Sequence, residues 1–107
     1  MLVTENGVPD ARDALRPAAI VASVEAMHAA TARGVSVLGY LHWSLLDNFE
    51  WSDGYTGRFG LYAVDFDDAE RTRTRRASAE VFARIVRANA LTHEARAAAV
   101  AGPMTRG

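Results

Sequence analysis

Val35-Ser36-Val37-Leu38-Gly39-Tyr40-Leu41-His42 is a nearly continuous β-prone run. A run without polar alternation suits a parallel strand covered on both faces. Upstream, Ile20, Val21, Val24, Met27 and His28 fall on one helical face. Pro17 fits the first turn of that helix, where its missing N–H costs nothing, and Gly34 stops it behind Arg33. Residues 7–16, with Pro9, Asp10 and Asp13, read as a loop. Leu2-Val3-Thr4 reads as a short strand ended by Glu5-Asn6-Gly7, because Asn-Gly is a turn signal. Downstream, residues 43–59 form a long aromatic and acidic loop with Gly54 and Gly57. Residues 60–66 read as a short strand and 67–76 as a charged connector. A second amphipathic helix spans 77–89, with Val81, Phe82, Ile85 and Val86 on its face. The alanine-rich stretch 92–100 reads as a short helix, and Gly102-Pro103 opens a frayed tail. No internal repeat is visible.

The order strand, helix, strand, helix is a βαβα unit of the α/β class. The right-handed crossover rule makes its two strands parallel neighbours. Two parallel strands leave sheet edges open and cover little apolar surface, so the unit is expected to be incomplete on its own.

Composition narrows the function classes. The 107 residues are 50% apolar, which is globular. Twelve cations, all arginine, oppose 13 Asp and Glu, for a formal net charge of −1. That balance gives no electrostatic footprint for nucleic acid or an anionic membrane. Without cysteine there is no disulfide framework, thiolate metal site or Cys nucleophile. No apolar run approaches the ~20 residues needed to span a bilayer. The first residues lack the basic and apolar regions of a signal peptide, so a soluble cytoplasmic chain is expected. His28, His42 and His93 lack metal-ligand spacing, and no Gly-rich phosphate loop occurs, so neither metal nor cofactor is expected. Residues 71–76 carry four arginines, but Asp65, Asp67, Asp68 and Glu70 precede and neutralise them; a solvated connector is expected.

Aromatic placement points to a site. Of nine aromatic residues, eight lie between Tyr40 and Phe66; only Phe82 lies outside. One segment therefore builds a wall or a pocket. Glu5 ends the first strand, on the side where parallel α/β folds carry their active sites. Alone it reads rather as a turn-capping or solvated carboxylate. Trp43-Ser44-Leu45-Leu46-Asp47-Asn48-Phe49-Glu50-Trp51 begins at the end of the second strand and faces the same side. Tryptophan stacks on the C–H face of a pyranose, and a carboxylate accepts hydrogen bonds from two vicinal hydroxyls. A packed loop whose aromatics fill a core is the competing reading.

Together the two segments resemble glycoside hydrolase family 1, the retaining β-glucosidases and β-galactosidases. The motifs are Val3-Thr4-Glu5-Asn6-Gly7, the continuous 43–51 string, and Arg58-Phe59-Gly60-Leu61 with Val64-Asp65. Gly39-Tyr40-Leu41-His42-Trp43-Ser44 and Arg16-Pro17 look most like the archaeal branch and its bacterial relatives; Ala18-Ala19 depart from the aromatic usual there. The resemblance implies the last βαβα quarter of a (β/α)₈ TIM barrel. Residues 1–90 would hold strand 7, helix 7, strand 8 and helix 8, and 91–107 would be a C-terminal tail. Glu5 matches the nucleophile that forms a covalent glycosyl-enzyme. Trp43 matches the indole beneath the sugar, Glu50 the carboxylate on O4 and O6, Trp51 its neighbour on O3, and Phe59 an aromatic of the same subsite. The implied substrate is a β-glycoside or oligosaccharide.

A retaining glycosidase also needs an acid/base carboxyl about 5–5.5 Å from the nucleophile. The family supplies it from an Asn-Glu-Pro segment, and none exists here. Asp47, Glu50 and Asp53 are poor replacements: Glu50 is committed to sugar hydroxyls, and a loop Asp such as Asp47 satisfies backbone groups. A (β/α)₈ barrel typically needs about 250 residues, and this chain offers two of its eight units. The expected partner is therefore the missing N-terminal barrel portion, without which the chain is expected to be inactive. A non-catalytic sugar-binding module and a truncated gene product are the alternatives.

Overall fold

The computed structural model describes residues 1–101, and the tail expected from Gly102 lies outside the described residues. Strand β1 (Leu2–Asn6) is followed by helix α1 (Arg16–Ala32) and strand β2 (Gly39–His42). A hairpin of β3 (Tyr62–Val64) and β4 (Arg73–Arg75) leads to α2 (Ala77–Ala88) and α3 (His93–Val100). β1 and β2 pair parallel, as the crossover rule requires, and β3 and β4 pair antiparallel. The sheet order is thus a two-stranded α/β piece plus a separate hairpin.

The run at 35–42 becomes strand only from Gly39, a correction to the sequence reading. The register sets Leu2 opposite Gly39. Before it, Met1 bridges Val37: its nitrogen donates to the Ser36 carbonyl at 2.6 Å and its carbonyl accepts the Leu38 amide at 2.7 Å. The strand is also not covered on both faces: Leu41 is 55% exposed. A single layer of helices covers one side only.

That layer holds the core. Ile20, Leu61, Ala79, Val81, Ile85 and Ala95 are buried together, with Val21, Val24 and Phe82 packed against them. Pro17 sits in the first turn of α1 as expected. Asp10 supplies the cap: its Oδ2 accepts the Leu15 amide at 2.7 Å and the Arg16 amide at 3.0 Å. Helix α2 ends at Asn89, whose φ of 47° is the left-handed conformation of a helix stop. Val86, expected on the apolar face, is exposed, while Ser78, Ala79, Val81 and Ile85 of the same helix are buried. Within the expected tail, Thr92 caps α3 by accepting the Ala95 amide at 3.1 Å, and α3 packs on α1 and α2.

The charged connector is a second correction. Asp65 Oδ1 accepts the Asp67 amide at 3.0 Å and Asp68 Oδ1 accepts the Glu70 amide at 3.1 Å, which folds the acidic stretch into the turn between β3 and β4. Arg73 and Arg75 are exposed on β4, but Arg76 is not solvated and binds Asp47 instead. Among the described residues no helix is long and apolar enough to cross a membrane.

Candidate functional site

The parallel pairing brings the ends of β1 and β2 to one side. There Glu5, Asn6, Gly7, Trp43, Glu50, Trp51 and Phe59 line an open pocket of about 520 Å³. All five candidate side chains of the sequence reading fall in this one lining. Glu5 lies within β1 rather than in the turn after it. The ladder carries an irregularity between Val3 and Asn6, where β1 spends one more residue than β2. Such a bulge re-aims the side chain it carries, here at Thr4 and Glu5.

Close backbone approach joins the two strand ends. The Trp43 amide donates to the Asn6 carbonyl at 2.8 Å. A Cβ at Gly7 would lie 1.9 Å from the Trp43 carbonyl oxygen, so only glycine fits. Residues 44–47 then run beside 59–62: the Ser44 amide donates to the Phe59 carbonyl at 3.1 Å and the Leu61 amide to the Ser44 carbonyl at 2.9 Å. That ladder carries Phe59 back to Trp43. Glu50 returns by its side chain, since the Trp43 indole Nε1–H donates to Glu50 Oε1 at 2.9 Å. Trp51 stands at the rim, 86% exposed, with a φ of 46° that a tryptophan adopts only under local strain.

Behind the sheet, a polar relay ties Asn6 to the helix layer. Asn6 Oδ1 accepts Ser23 Oγ–H at 2.9 Å and Tyr40 Oη–H at 3.0 Å. Tyr40 Oη also lies 3.1 Å from His42 Nδ1, and both rings pack on Phe82. Burial pushes the Tyr40 phenol up to about 12. Burial, with the Arg16 charge beside it, pushes the His42 imidazole down to about 4. Neutral His42 leaves Nε2 without a partner among the described residues.

Two buried ion pairs hold the loops, and the sequence reading had named neither. Arg16 is fully buried; it donates to Asp13 Oδ1 at 2.6 Å and to the Asp10 carbonyl at 2.7 Å, while Asp13 Oδ2 accepts the Ser78 amide at 2.7 Å. Asp47 is buried between Arg76 and Arg58, at 2.8 and 3.3 Å. Burial alone would raise the Asp47 carboxyl, but the Arg76 guanidinium and the Gly60 and Val64 amides outweigh it and hold it below the usual range. The only sequence signal was the expectation that Asp47 serves backbone groups, which it does. No group of three or more His, Cys, Asp or Glu side chains among the described residues is arranged to hold a metal ion.

The arrangement offers a strand-end carboxylate, an indole floor and a second carboxylate bonded to that indole. It is one wall of a pocket and suits a polyhydroxylated ring. The family model "Glycosyl hydrolase family 1" matches residues 1–91. A β-galactosidase of Sulfolobus acidocaldarius is 44% identical over 94 residues, covering 88% of this chain and 19% of the relative. A chloroplastic galactolipid galactosyltransferase of Arabidopsis thaliana is 43% identical over 98 residues, 92% of this chain and 16% of the relative. The crystal structure of the β-glycosidase from Thermosphaera aggregans superposes with a TM-score of 0.84 at 47% identity, over 92% of this chain and 20% of that one. The chain thus spans about a fifth of the length of these relatives. With the family model covering nearly all described residues and the fold superposing on solved members, the chain belongs to glycosyl hydrolase family 1.

Proposed function

We propose that this chain supplies the nucleophile and one sugar-binding wall of a retaining β-glycosidase, as the last βαβα quarter of a (β/α)₈ barrel spanning residues 1–90. The observation that carries the reading is the common lining of Glu5, Trp43, Glu50, Trp51 and Phe59, with the Trp43 indole bonded to Glu50. A pyranose stacks on Trp43 and Phe59. Glu50 accepts hydrogen bonds from two of its hydroxyls, and Trp51 flanks a third. Glu5 attacks the anomeric carbon from the strand end. The bond to the leaving oxygen breaks, that oxygen takes a proton from the acid/base carboxyl, and a glycosyl ester forms on Glu5. Water, deprotonated by the same acid/base, then releases the sugar. A sugar hydroxyl in place of water gives transfer, which fits the match to a galactosyltransferase.

The acid/base carboxyl belongs to barrel residues outside this sequence, since no Asn-Glu-Pro segment is present. The isolated chain is therefore inactive. Its pocket is open on the side where the remaining barrel would stand, so most hydroxyls of a bound sugar stay in water.

The test is reconstitution. The chain is co-expressed with the complementary barrel portion of a close relative and assayed on an aryl β-glucoside and β-galactoside. Activity in the mixture, none from either part, and a glycosyl adduct on Glu5 from an activated fluoro-glycoside are expected. A folded, associated mixture that forms no adduct on Glu5 would sink the assignment.

A further inference from the structure

Asp47 stands in the loop that carries Trp43 and Glu50, yet it is buried while Glu50 lines the pocket. Its Oδ1 accepts the Gly60 amide at 2.9 Å and Arg76 Nη1 at 2.8 Å. Its Oδ2 accepts Arg76 Nη2 at 3.1 Å, Arg58 Nη1 at 3.3 Å and the Val64 amide at 3.3 Å. Both guanidiniums donate onward to the same segment: Arg76 Nη1 to the Gly60 carbonyl at 2.6 Å, and Arg58 Nη1 to the Val64 carbonyl at 2.9 Å. Arg58 also lies over the Phe66 ring, 4.7 Å from its centroid.

One carboxylate therefore clamps the segment from Arg58 to Val64 onto the loop. Phe59 is inside the clamped segment, and Glu50 is separated from Asp47 only by Asn48 and Phe49. The clamp is close-packed, since a Cβ at Gly60 would lie 2.3 Å from the Asp47 amide nitrogen. A charged, multiply hydrogen-bonded node of this kind has one geometry, whereas a loop held by a few main-chain bonds has many. We propose that Asp47 is a positioning residue for the sugar-binding wall: through Gly60, Arg58 and Arg76 it fixes Glu50 against Trp43 and Phe59. It does not touch the sugar. That the fixed wall serves a sugar rests on the reading above; the clamp itself does not.

The test uses the full chain, ¹⁵N-labelled. The Trp43 indole N–H resonance reports its bond to Glu50, and Trp51→Phe assigns it. Glu50→Ala gives the position of a Trp43 indole without that carboxylate. In Asp47→Asn the Trp43 resonance is expected to leave its wild-type position for the Glu50→Ala position, while the core resonances of Ile20 and Val81 stay in place. A Trp43 resonance unmoved in a folded Asp47→Asn chain overturns the proposal. If Asp47→Asn loses the core resonances, Arg58→Gln decides, because Arg58 is the more exposed arm. It is expected to shift Trp43 the same way and by less; no shift overturns the proposal. Titration of the reconstituted enzyme with gluconolactone reads the sugar assignment separately. A wild-type Trp43 signal indifferent to the lactone breaks that assignment and leaves the clamp standing.

Discussion

On the helix side of β1 and β2, Tyr40 and His42 pack on Phe82, and Asn6 is bonded to Ser23 of α1. On the other side Leu41 stays 55% exposed, and Glu5, Trp43 and Glu50 line an open pocket. The same two strands thus carry a closed face and an open one. Side chains alternate along a strand, so neighbouring residues answer to different demands. The closed face and the buried arginine nodes hold the structure. The open face carries reactive groups whose replacement removes few contacts. Substitutions on the two faces should therefore separate stability from chemistry.

The largest effect is expected on the open face, in activity alone. In the reconstituted enzyme Glu5→Ala should lower kcat on the order of 10⁴-fold or more, because it removes the nucleophile. The melting temperature of the chain should hardly change. A mutant retaining near-normal turnover breaks the division at its main point.

Next come the buried charges. Arg16→Met leaves Asp13 uncompensated in a buried site and should cost about 3–5 kcal/mol in urea unfolding. A loss below about 1 kcal/mol would mean that water reaches Asp13 and that the closed region is not closed.

Aliphatic truncation gives a direct contrast. Ile20→Ala, in the helix core, should cost about 2–5 kcal/mol. Leu41→Ala, on the open face of the sheet, should stay within about 0.5 kcal/mol. Equal costs would show that the open face is covered in solution.

The effect of pH is expected to be smaller than the loss at Ile20. His42 has a folded pKa pushed down to about 4 against an ordinary value of 6.5, so between those values the unfolded chain binds more protons. Stability is full above about pH 6.5 and falls as pH drops toward 4. Since the ring is partly solvated, the loss should be modest, about 1–2 kcal/mol. His42→Phe should flatten that limb of the stability profile. The lowered carboxyls of Asp10 and Asp47 add a separate loss only in the more acidic range, as pH falls below the ordinary carboxylate value of 3.8.

The amino-acid order determined much of this by itself. Pro17 and the apolar spacing from Ile20 set α1, Asn6-Gly7 ended β1, and the β-prone run before Trp43 gave β2. These are local effects of torsion and periodicity, so they are legible locally. The five pocket residues were legible for a different reason: their motifs resemble a known family, and composition alone favoured a packed loop. Tertiary structure decided the rest. Whether Leu41 was buried depended on how many layers covered the sheet. That Arg76, unremarkable among twelve arginines, lies buried against Asp47 depended on segments distant in sequence meeting in space. Arg16 and Asp13 are only three residues apart, but the Arg58 carbonyl and the Ser78 amide that they bind come from elsewhere in the chain. Charge pairing of that kind has no period to read, because its partners are chosen by the fold rather than by the spacing.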